Sequence, residues 1–277
     1  MFDEEMISTR KEKEELRPVD LINSVITAGL FPKSKEINFF QYDEIMIDFD
    51  SILSLALRED LTEWSKEDRI YLSKILTNNM LYFLEQYIET SHISIYYNME
   101  KYKVFSEIYP NWCIKRQQRY GNETIINLVH KLLIKKLEKL AEIKPSFSII
   151  KCEDAPIMRI FKDMEHSNKS FIILSRDPHM LCLFAYYDVA IYNGRFIVNR
   201  SNYYLENEYP KVHYTLIPAY YMMAGIPRNE YKGVNGLGPK KTNKLINENK
   251  LAVIKQELPE MENVNKYRKI FYLRELL

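Results

Sequence analysis

The sequence has few cysteines, and it lacks any apolar run long enough to cross a bilayer. Its three cysteines, Cys113, Cys152 and Cys182, are widely spaced and form no Cys-x-x-Cys pair. We therefore expect no disulfide framework, no cysteine-ligated zinc site and a reducing, cytoplasmic setting. A membrane helix needs about 20 apolar residues in sequence, so no membrane contact is predicted. Residues 1–20 carry seven acids and four bases, unlike a secretory signal or a transit peptide.

The sequence also lacks a charge excess of either sign. Its 39 basic and 38 acidic residues leave a formal net charge of +1, which neither predicts nor excludes a nucleic-acid partner. A content of 46% hydrophobic and 28% charged residues over 277 positions excludes a disordered chain. The abundance of Ile, Asn, Lys and Tyr is typical of an AT-rich genome such as that of a phage or virus, in which case the compartment is the host cytoplasm.

Short apolar runs recur along the chain in a strand-like pattern. Segment 44–57 opens as a buried strand and closes with helical spacing, and 92–98 alternates like a second strand. The runs SFSII, SFIILS and DVAIYN follow as further strands. Helical patterns separate these runs, which predicts an α/β fold with a mostly parallel central sheet and helices on both faces.

Two helices and one turn are predicted with defined bounds. Apolar residues at helical spacing predict helices over 66–90 and 124–143. Asn193-Gly194 separates DVAIY from RFIVN, and because both residues tolerate a positive φ, a hairpin turn is predicted there.

Polar residues follow four of the predicted strands where each strand ends. In parallel sheets the carboxyl ends of the strands meet at one crevice. We therefore expect the following side chains to lie at a common edge: Asp48, Asn98, Glu153 and Asp177.

The segment GIPRNEYKGVNGLGPKKTNKLI carries a glycine-rich turn that opens a lysine-flanked helix. Residues 228–250 include six bases and two acids in an otherwise neutral protein. Glycines allow backbone N–H groups to approach a phosphate, and the helix dipole and lysines add positive charge. An ordinary turn with a solvated basic face is the alternative. The predicted nucleic-acid-binding residues are Gly233, Gly236, Gly238, Lys240, Lys241 and Lys244.

This segment resembles the helix-hairpin-helix of flap endonucleases and phage-type 5′ nucleases (5′-3′ exonucleases). MIDFDSILSLAL resembles the family's first strand, and SIYYNMEKYKVFSEIYPNWCIKRQQR its second strand with the basic segment that follows. KCEDAPIMRIF and FIILSRDPHMLCL resemble its two later acidic strand ends. The joint order of these matches, from about 44 to 246, carries the resemblance.

The resemblance implies a PIN-like 5′ nuclease sandwich that binds branched or nicked duplex DNA by its backbone. It divides the chain into an acidic lead with a short helix (1–40), an α/β domain (41–214) and a helix-hairpin-helix region packed on that domain (215–277). A basic helical arch is expected near 100–140, where Arg116 and Arg119 take the places of the family's phosphate-contacting cations.

The family hydrolyses phosphodiesters with two metal ions, which require a dense set of carboxylates. The resemblance keeps Asp48, Glu153 and Asp177 as catalytic metal ligands and offers Asn98 and His179 as weaker ones. The family's remaining acids are replaced here, and the residues that stand in their places are Ala155, Pro156, Ile226 and Asn229. We therefore expect at most one Mg²⁺ or Mn²⁺ ion, or none, and nuclease activity that is weak or lost.

Structural roles compete with these assignments. Asp48 and Asp177 are also typical helix N-caps, and Glu153 also favours a helix N-terminus. His179 is also typical of a surface histidine. Two rival functions stay open: an active metal-dependent 5′ nuclease, and a non-catalytic scaffold subunit that binds a protein partner in a viral or phage replication or transcription complex.

Overall fold

The computed structural model describes residues 38–51, 65–87, 89, 91–98, 102–110, 133–205 and 209–248. Its strands are β1 Glu44–Asp48, β2 His92–Tyr97, β3 Phe147–Lys151, β4 Phe171–Leu174, β5 Val189–Tyr192 and β6 Ile197–Val198. Its α-helices are α1 Lys66–Tyr87, α2 Lys103–Ile108, α3 Lys135–Ile143, α4 Pro156–Met164, α5 Ile217–Ala224 and α6 Pro239–Asn247. Its longest 3₁₀ helix is Pro178–Ala185, and shorter ones are Phe39–Gln41, Tyr203–Leu205, Tyr214–Leu216 and Pro227–Asn229.

The six strands form one sheet in the order β3-β2-β1-β4-β5-β6. Neighbouring strands are parallel except for β5 and β6, which are antiparallel. The chain moves outward from β1 through β2 to β3 and then returns to place β4 on the other side of β1. This reversal creates a topological switch point between β1 and β4, where ligand crevices form in open α/β sheets. The predicted α/β architecture is confirmed.

Both faces of the sheet are covered by helices. Along β1, Ile45 and Ile47 pack into a cluster with residues of α1 and α3. Met46 faces the opposite cluster, which contains residues of α4, α5 and the 3₁₀ helix at 178–185. A strand buried on both faces needs apolar side chains at successive positions, which explains the unbroken apolar run in β1.

The connection between β5 and β6 differs from the predicted turn. Tyr192 pairs with Ile197, so residues 193–196 form the loop rather than Asn193-Gly194 alone. Gly194 has a φ of 92°, whereas Asn193 is not among the residues with positive φ. The side-chain carbonyl of Asn193 accepts from the backbone N–H groups of residues 195 and 196, and these bonds stabilise the longer loop.

Several other predictions concern regions that are described in part. The helix predicted over 66–90 is confirmed as α1, and α3 is the described part of the helix predicted over 124–143. Arg116, Arg119 and most of the predicted arch lie outside the described residues, and so does Cys113. Cys152 and Cys182 are buried free thiols. Among the described helices, none has the length and apolar character that a membrane span requires. The domain bounds at 40 and 214 stay predictions.

Candidate functional site

The carboxyl ends of β1, β2, β3 and β4 lie side by side. Their parallel pairing places Asp48, Asn98, Glu153 and Asp177 at one edge of the sheet, as the sequence predicts. The side chains at this edge differ in burial, because Asp48 and Asn98 are buried, Asp177 is half-buried and Glu153 is exposed. Their roles as catalytic groups or metal ligands stay predictions.

Asp48 ends β1 and joins it to the end of β4. Its Oδ1 accepts from the backbone N–H of Ser51 at 3.1 Å, which caps the helical turn that begins at Phe49. Its Oδ2 accepts from the hydroxyl of Ser175 at 2.6 Å. The side chain therefore has the N-cap role that the sequence offered as an alternative, in addition to its place at the crevice.

Asp177 follows β4 and connects that strand to the C-terminal region. Its Oδ1 accepts from the backbone N–H of His179 at 2.9 Å and caps the 3₁₀ helix. The same oxygen accepts from the side-chain amide of Asn229 at 2.8 Å. The backbone N–H of Asp177 donates to the hydroxyl of Ser175 at 3.1 Å. A chain of hydrogen bonds thus runs from β1 to the residues that follow α5, and we call its residues the sheet-edge cluster: Asp48, Ser51, Ser175, Asp177 and Asn229.

Asp50 is a fully buried carboxylate that was not among the predicted site residues. It accepts from the backbone N–H of Asn98 at 3.1 and 3.2 Å and from the hydroxyl of Tyr102 at 2.9 Å. These bonds hold the end of β2 against β1 and so position Asn98. The sequence did carry a signal for this role, because Asp50 lies within an apolar run and a buried carboxylate needs hydrogen-bond donors nearby.

The acids after β3 separate into an exposed and a buried group. Glu153 is exposed, whereas Asp154 is buried and accepts from the backbone N–H groups of Val104 at 2.5 Å and Ala155 at 2.8 Å. Burial raises the pKa of Asp154. Asp154 therefore fastens the start of α2 to the loop before α4.

His179 is not the surface residue that the sequence offered as an alternative. It is 1% exposed, and its ring packs edge-to-face against Phe105 with 5.7 Å between the centroids. The first residues of the 3₁₀ helix lie against the sheet edge, and their place in the fold buries a residue type that is usually exposed.

Most carboxylates at this edge already accept hydrogen bonds within the protein. Among the described residues, no group of three or more His, Cys, Asp or Glu side chains is arranged to hold a metal. Glu153 faces solvent, and oxygens of Asp48 and Asp177 accept from N–H and O–H donors of the protein. Two divalent ions carry four positive charges, and carboxylates offset their mutual repulsion.

The connection between α5 and α6 is held by close backbone contacts, and we call residues 225–247 the hairpin segment. Ile226 and Tyr231 form a two-bond bridge, and the N–H of Val234 donates to the carbonyl of Met223 at 2.9 Å. Gly225 and Gly233 have φ values of 85° and 70°. A Cβ at Gly233 would lie 2.3 Å from the carbonyl oxygen of Met223, so this glycine is required for packing.

The start of α6 is open to solvent. An added Cβ at Gly236 or Gly238 would have no atom within 4 Å, so nothing covers the backbone there among the described residues. Gly238 is the N-cap residue, no side chain caps the helix, and its first turn contains no acid. Buried Thr242 and Ile246 fix one face of α6, while the lysines at 240, 241 and 244 are exposed.

The strand order, the acids at the switch point and the helical hairpin after the sheet define an α/β protein with the 5′ nuclease fold. The chain is similar to solved structures of phage T5. A T5 protein co-crystallised with metal ions gives a TM-score of 0.54 at 14% identity, covering 83% of this chain and 86% of that one. A T5 flap endonuclease in a pseudo-enzyme-product complex with DNA and metal ions gives a TM-score of 0.54 at 16% identity, covering 83% of this chain and 86% of that one. A T5 5′-exonuclease with bound zinc gives a TM-score of 0.52 at 16% identity, covering 82% of this chain and 86% of that one.

No protein-family model and no curated protein sequence matches the chain. At identities of 14–16% the similarity establishes the fold, and the predicted fold class is confirmed.

Proposed function

We propose that this protein binds branched or nicked duplex DNA by its sugar-phosphate backbone through the hairpin segment, and that hydrolysis at the sheet edge is weak or lost. The observation that carries the proposal is the open start of α6. Its backbone N–H groups lie behind two uncovered glycines and beside exposed lysines. The T5 flap endonuclease of similar fold was solved with DNA and metal ions, which supports a nucleic-acid role.

The physical chemistry of this helix start favours phosphate oxygens. The first N–H groups of a helix have no partner within the helix, and the helix dipole adds partial positive charge. Lys240 and Lys241 make no ion pair within the described part of the chain, whereas Lys244 lies 3.9 Å from Glu248. None of these groups reads a base edge, so the expected binding follows shape and charge rather than sequence.

The proposed loss of hydrolysis is supported by Asn229. The family pattern has an acid at this place, and here the amide of Asn229 donates to Asp177 at 2.8 Å. An amide donor compensates a carboxylate without a metal ion, whereas two adjacent carboxylates repel each other unless a metal ion or a proton lies between them. If one Mg²⁺ or Mn²⁺ binds, the residues we propose for it are Asp48, Glu153 and Asp177, with Asn98 and His179 as weaker ligands. Held there, such an ion would supply activation of water and neutralisation of the leaving oxygen.

The proposed setting is DNA replication of a phage or virus in the host cytoplasm. The abundance of Ile, Asn, Lys and Tyr, which is typical of AT-rich genomes, and the similarity to phage T5 structures support it. We also propose an alternative role, in which the protein is a scaffold subunit with little activity of its own. In that role it would bind a protein partner in a replication or transcription complex.

Binding to a labelled 5′-flap duplex, followed by fluorescence anisotropy, tests the proposal. Lys240→Glu with Lys241→Glu should weaken binding about tenfold or more and lower the slope of log affinity against log salt by about two. The control is Lys74→Glu with Lys162→Glu, which makes the same charge change at exposed residues of α1 and α4. An equal loss in both double variants, or no loss in either, would contradict backbone binding by the hairpin segment.

Cleavage of the same substrate tests the second half of the proposal. We expect little or no product with Mg²⁺ or Mn²⁺ at ordinary enzyme rates, because several of the acids that bind two metal ions in the family pattern are replaced here. Rapid metal-dependent cleavage that is lost in Asp48→Ala and Asp177→Ala would establish the active nuclease instead. Absence of both cleavage and DNA binding would favour the scaffold role.

A further inference from the structure

A cavity of about 400 Å³ lies between the ends of β4 and β5 and the start of the hairpin segment. Ligand pockets commonly measure about 300–1,000 Å³. Because β5 lies beyond β4 from β1, the cavity is beside the sheet-edge cluster and shares Ser175 and Asp177 with it. Its polar lining comes from Arg176, Asp177, Asn193, Arg195, Tyr209 and Tyr221.

The charges of this lining favour an anion. Two guanidinium groups stand against one carboxylate, and that carboxylate already accepts from the amide of Asn229. The stem of Arg176 lies against Gly194, where an added Cβ would be 3.0 Å from its Cδ and 3.3 Å from its Nε. Gly194 therefore allows the β5–β6 loop to approach this arginine closely. Guanidinium groups bind phosphates with paired, charge-assisted hydrogen bonds.

Two tyrosines complete the polar lining. Tyr221 is 5% exposed, and within the described residues its hydroxyl has no hydrogen-bond partner. Burial raises the pKa of Tyr221, so the hydroxyl remains a proton donor. The hydroxyl of Tyr209 accepts from the amide of Asn193 at 2.7 Å, which holds Tyr209 at the cavity wall. A buried hydroxyl without a partner is unfavourable, and a ligand oxygen would satisfy it.

The remaining lining is apolar. Leu181 and Ile191 come from the 3₁₀ helix and β5, and Ile226 and Pro227 come from the hairpin segment. A cavity with cationic groups, phenols and an apolar wall matches a molecule that joins a phosphate to a flat, partly apolar ring system.

We propose that this cavity binds a nucleotide with a terminal phosphate. Arg176 and Arg195 hold the phosphate, Tyr221 donates to a ligand oxygen, and the sugar and base lie along Tyr209 and the apolar wall. Free nucleoside monophosphate and the phosphorylated end of a DNA strand share this chemistry. The cavity takes Ile226 and Pro227 from the hairpin segment, but the proposal does not require that segment to bind DNA.

Calorimetric titration of the full chain with thymidine 5′-monophosphate tests the cavity. Wild-type protein should bind it, and thymidine without phosphate should bind at least about tenfold more weakly, because charge-assisted bonds are lost. Arg176→Ala with Arg195→Ala should reduce affinity about tenfold or more. Lys74→Ala with Lys162→Ala removes the same charge elsewhere and should change nothing. Equal affinity in both double variants would overturn the proposal.

Tyr221→Phe keeps the size of the side chain and removes an unsatisfied hydroxyl, so it should fold as well as wild type. It should bind the monophosphate several-fold more weakly, by about threefold to tenfold. Unchanged affinity in this folded variant would contradict the assigned contact.

Short single strands distinguish the two sources of the nucleotide. A 5′-phosphorylated hexathymidylate that binds more tightly than its 5′-hydroxyl form, only with both arginines present, identifies the site as one for strand ends. Arginine-dependent binding of the monophosphate without such a preference identifies it as one for free nucleotide. Neither titration contains duplex DNA. A failure of the cavity to bind nucleotide can therefore be distinguished from a failure of the hairpin segment to bind duplex DNA.

Discussion

The sheet-edge cluster and the hairpin segment are both rich in polar groups, but they arrange them in opposite ways. In the cluster, Asp48, Ser175, Asp177 and Asn229 bond to one another and to nearby backbone N–H groups. At the start of α6 the backbone donors have no side-chain cap and lie beneath uncovered glycines. Polar groups that satisfy one another have less capacity for an external ligand, whereas uncapped donors keep theirs. The two regions therefore differ in how readily their polar groups can meet an external ligand.

The largest expected effect comes from the glycines of the hairpin segment. Gly233→Ala places a Cβ 2.3 Å from a backbone oxygen and should destabilise the protein by about 3 kcal/mol or more. Gly236→Ala is the matched control, because its φ of 79° is similar but its surroundings are open. It should cost about 1–2 kcal/mol. Urea unfolding measures both, and equal destabilisation would show that Gly233 is not a packing requirement.

A smaller effect should follow from restoring an acid to the sheet-edge cluster. Asn229→Asp replaces an amide donor with a carboxylate beside Asp177, and in EDTA it should destabilise the fold by about 3 kcal/mol. Mn²⁺ should raise the melting temperature of this variant more than that of wild type, because an ion would bridge the two acids.

Asn247→Asp adds the same charge at an exposed position near the end of α6 and is the control. It should lose less than about 1 kcal/mol and show no added response to Mn²⁺. If the two variants are equally stable in EDTA, the amide of Asn229 does not compensate Asp177 in the way we describe.

The smallest effect tests whether the sheet edge is closed to solvent near β3. Burial, and next the carboxylates of Asp50 and Asp48, raise the pKa of the Cys152 thiol to about 12. Only the thiolate reacts, and at pH 8 about one thiol in ten thousand would be ionised. Peptide-resolved iodoacetamide labelling should therefore be very slow in the native protein at pH 8, and its rate should rise about tenfold with each further unit of pH.

The unfolded chain provides the reference for this measurement. In urea Cys152 should label at the rate of an ordinary thiol with a pKa of about 8.5. Fast labelling of native protein at pH 8 would show that the edge opens to solvent, and it would weaken the contrast with the hairpin segment.

Much of the fold was predictable from local pattern. The strands at 44–48, 92–97 and 171–174 follow from apolar runs whose length and spacing exclude most alternatives. The length of the β5–β6 turn was not predictable. Its four-residue form depends on hydrogen bonds from the backbone N–H groups of residues 195 and 196 to the side chain of Asn193. The burial of His179 was also missed. It depends on contact with the ring of Phe105, which is distant in the sequence, and no local pattern indicates that contact.

By itself the sequence determined which residues end the parallel strands and where a glycine-bent, lysine-flanked helix begins, because strand and turn patterns are local. Tertiary structure alone decided how those residues are used. Ser175 reaches Asp48 across 127 positions, and Asn229 reaches Asp177 across 52. Hydrogen-bond partners so distant along the chain are chosen by packing, and that choice makes the sheet edge self-satisfied while the start of α6 stays open.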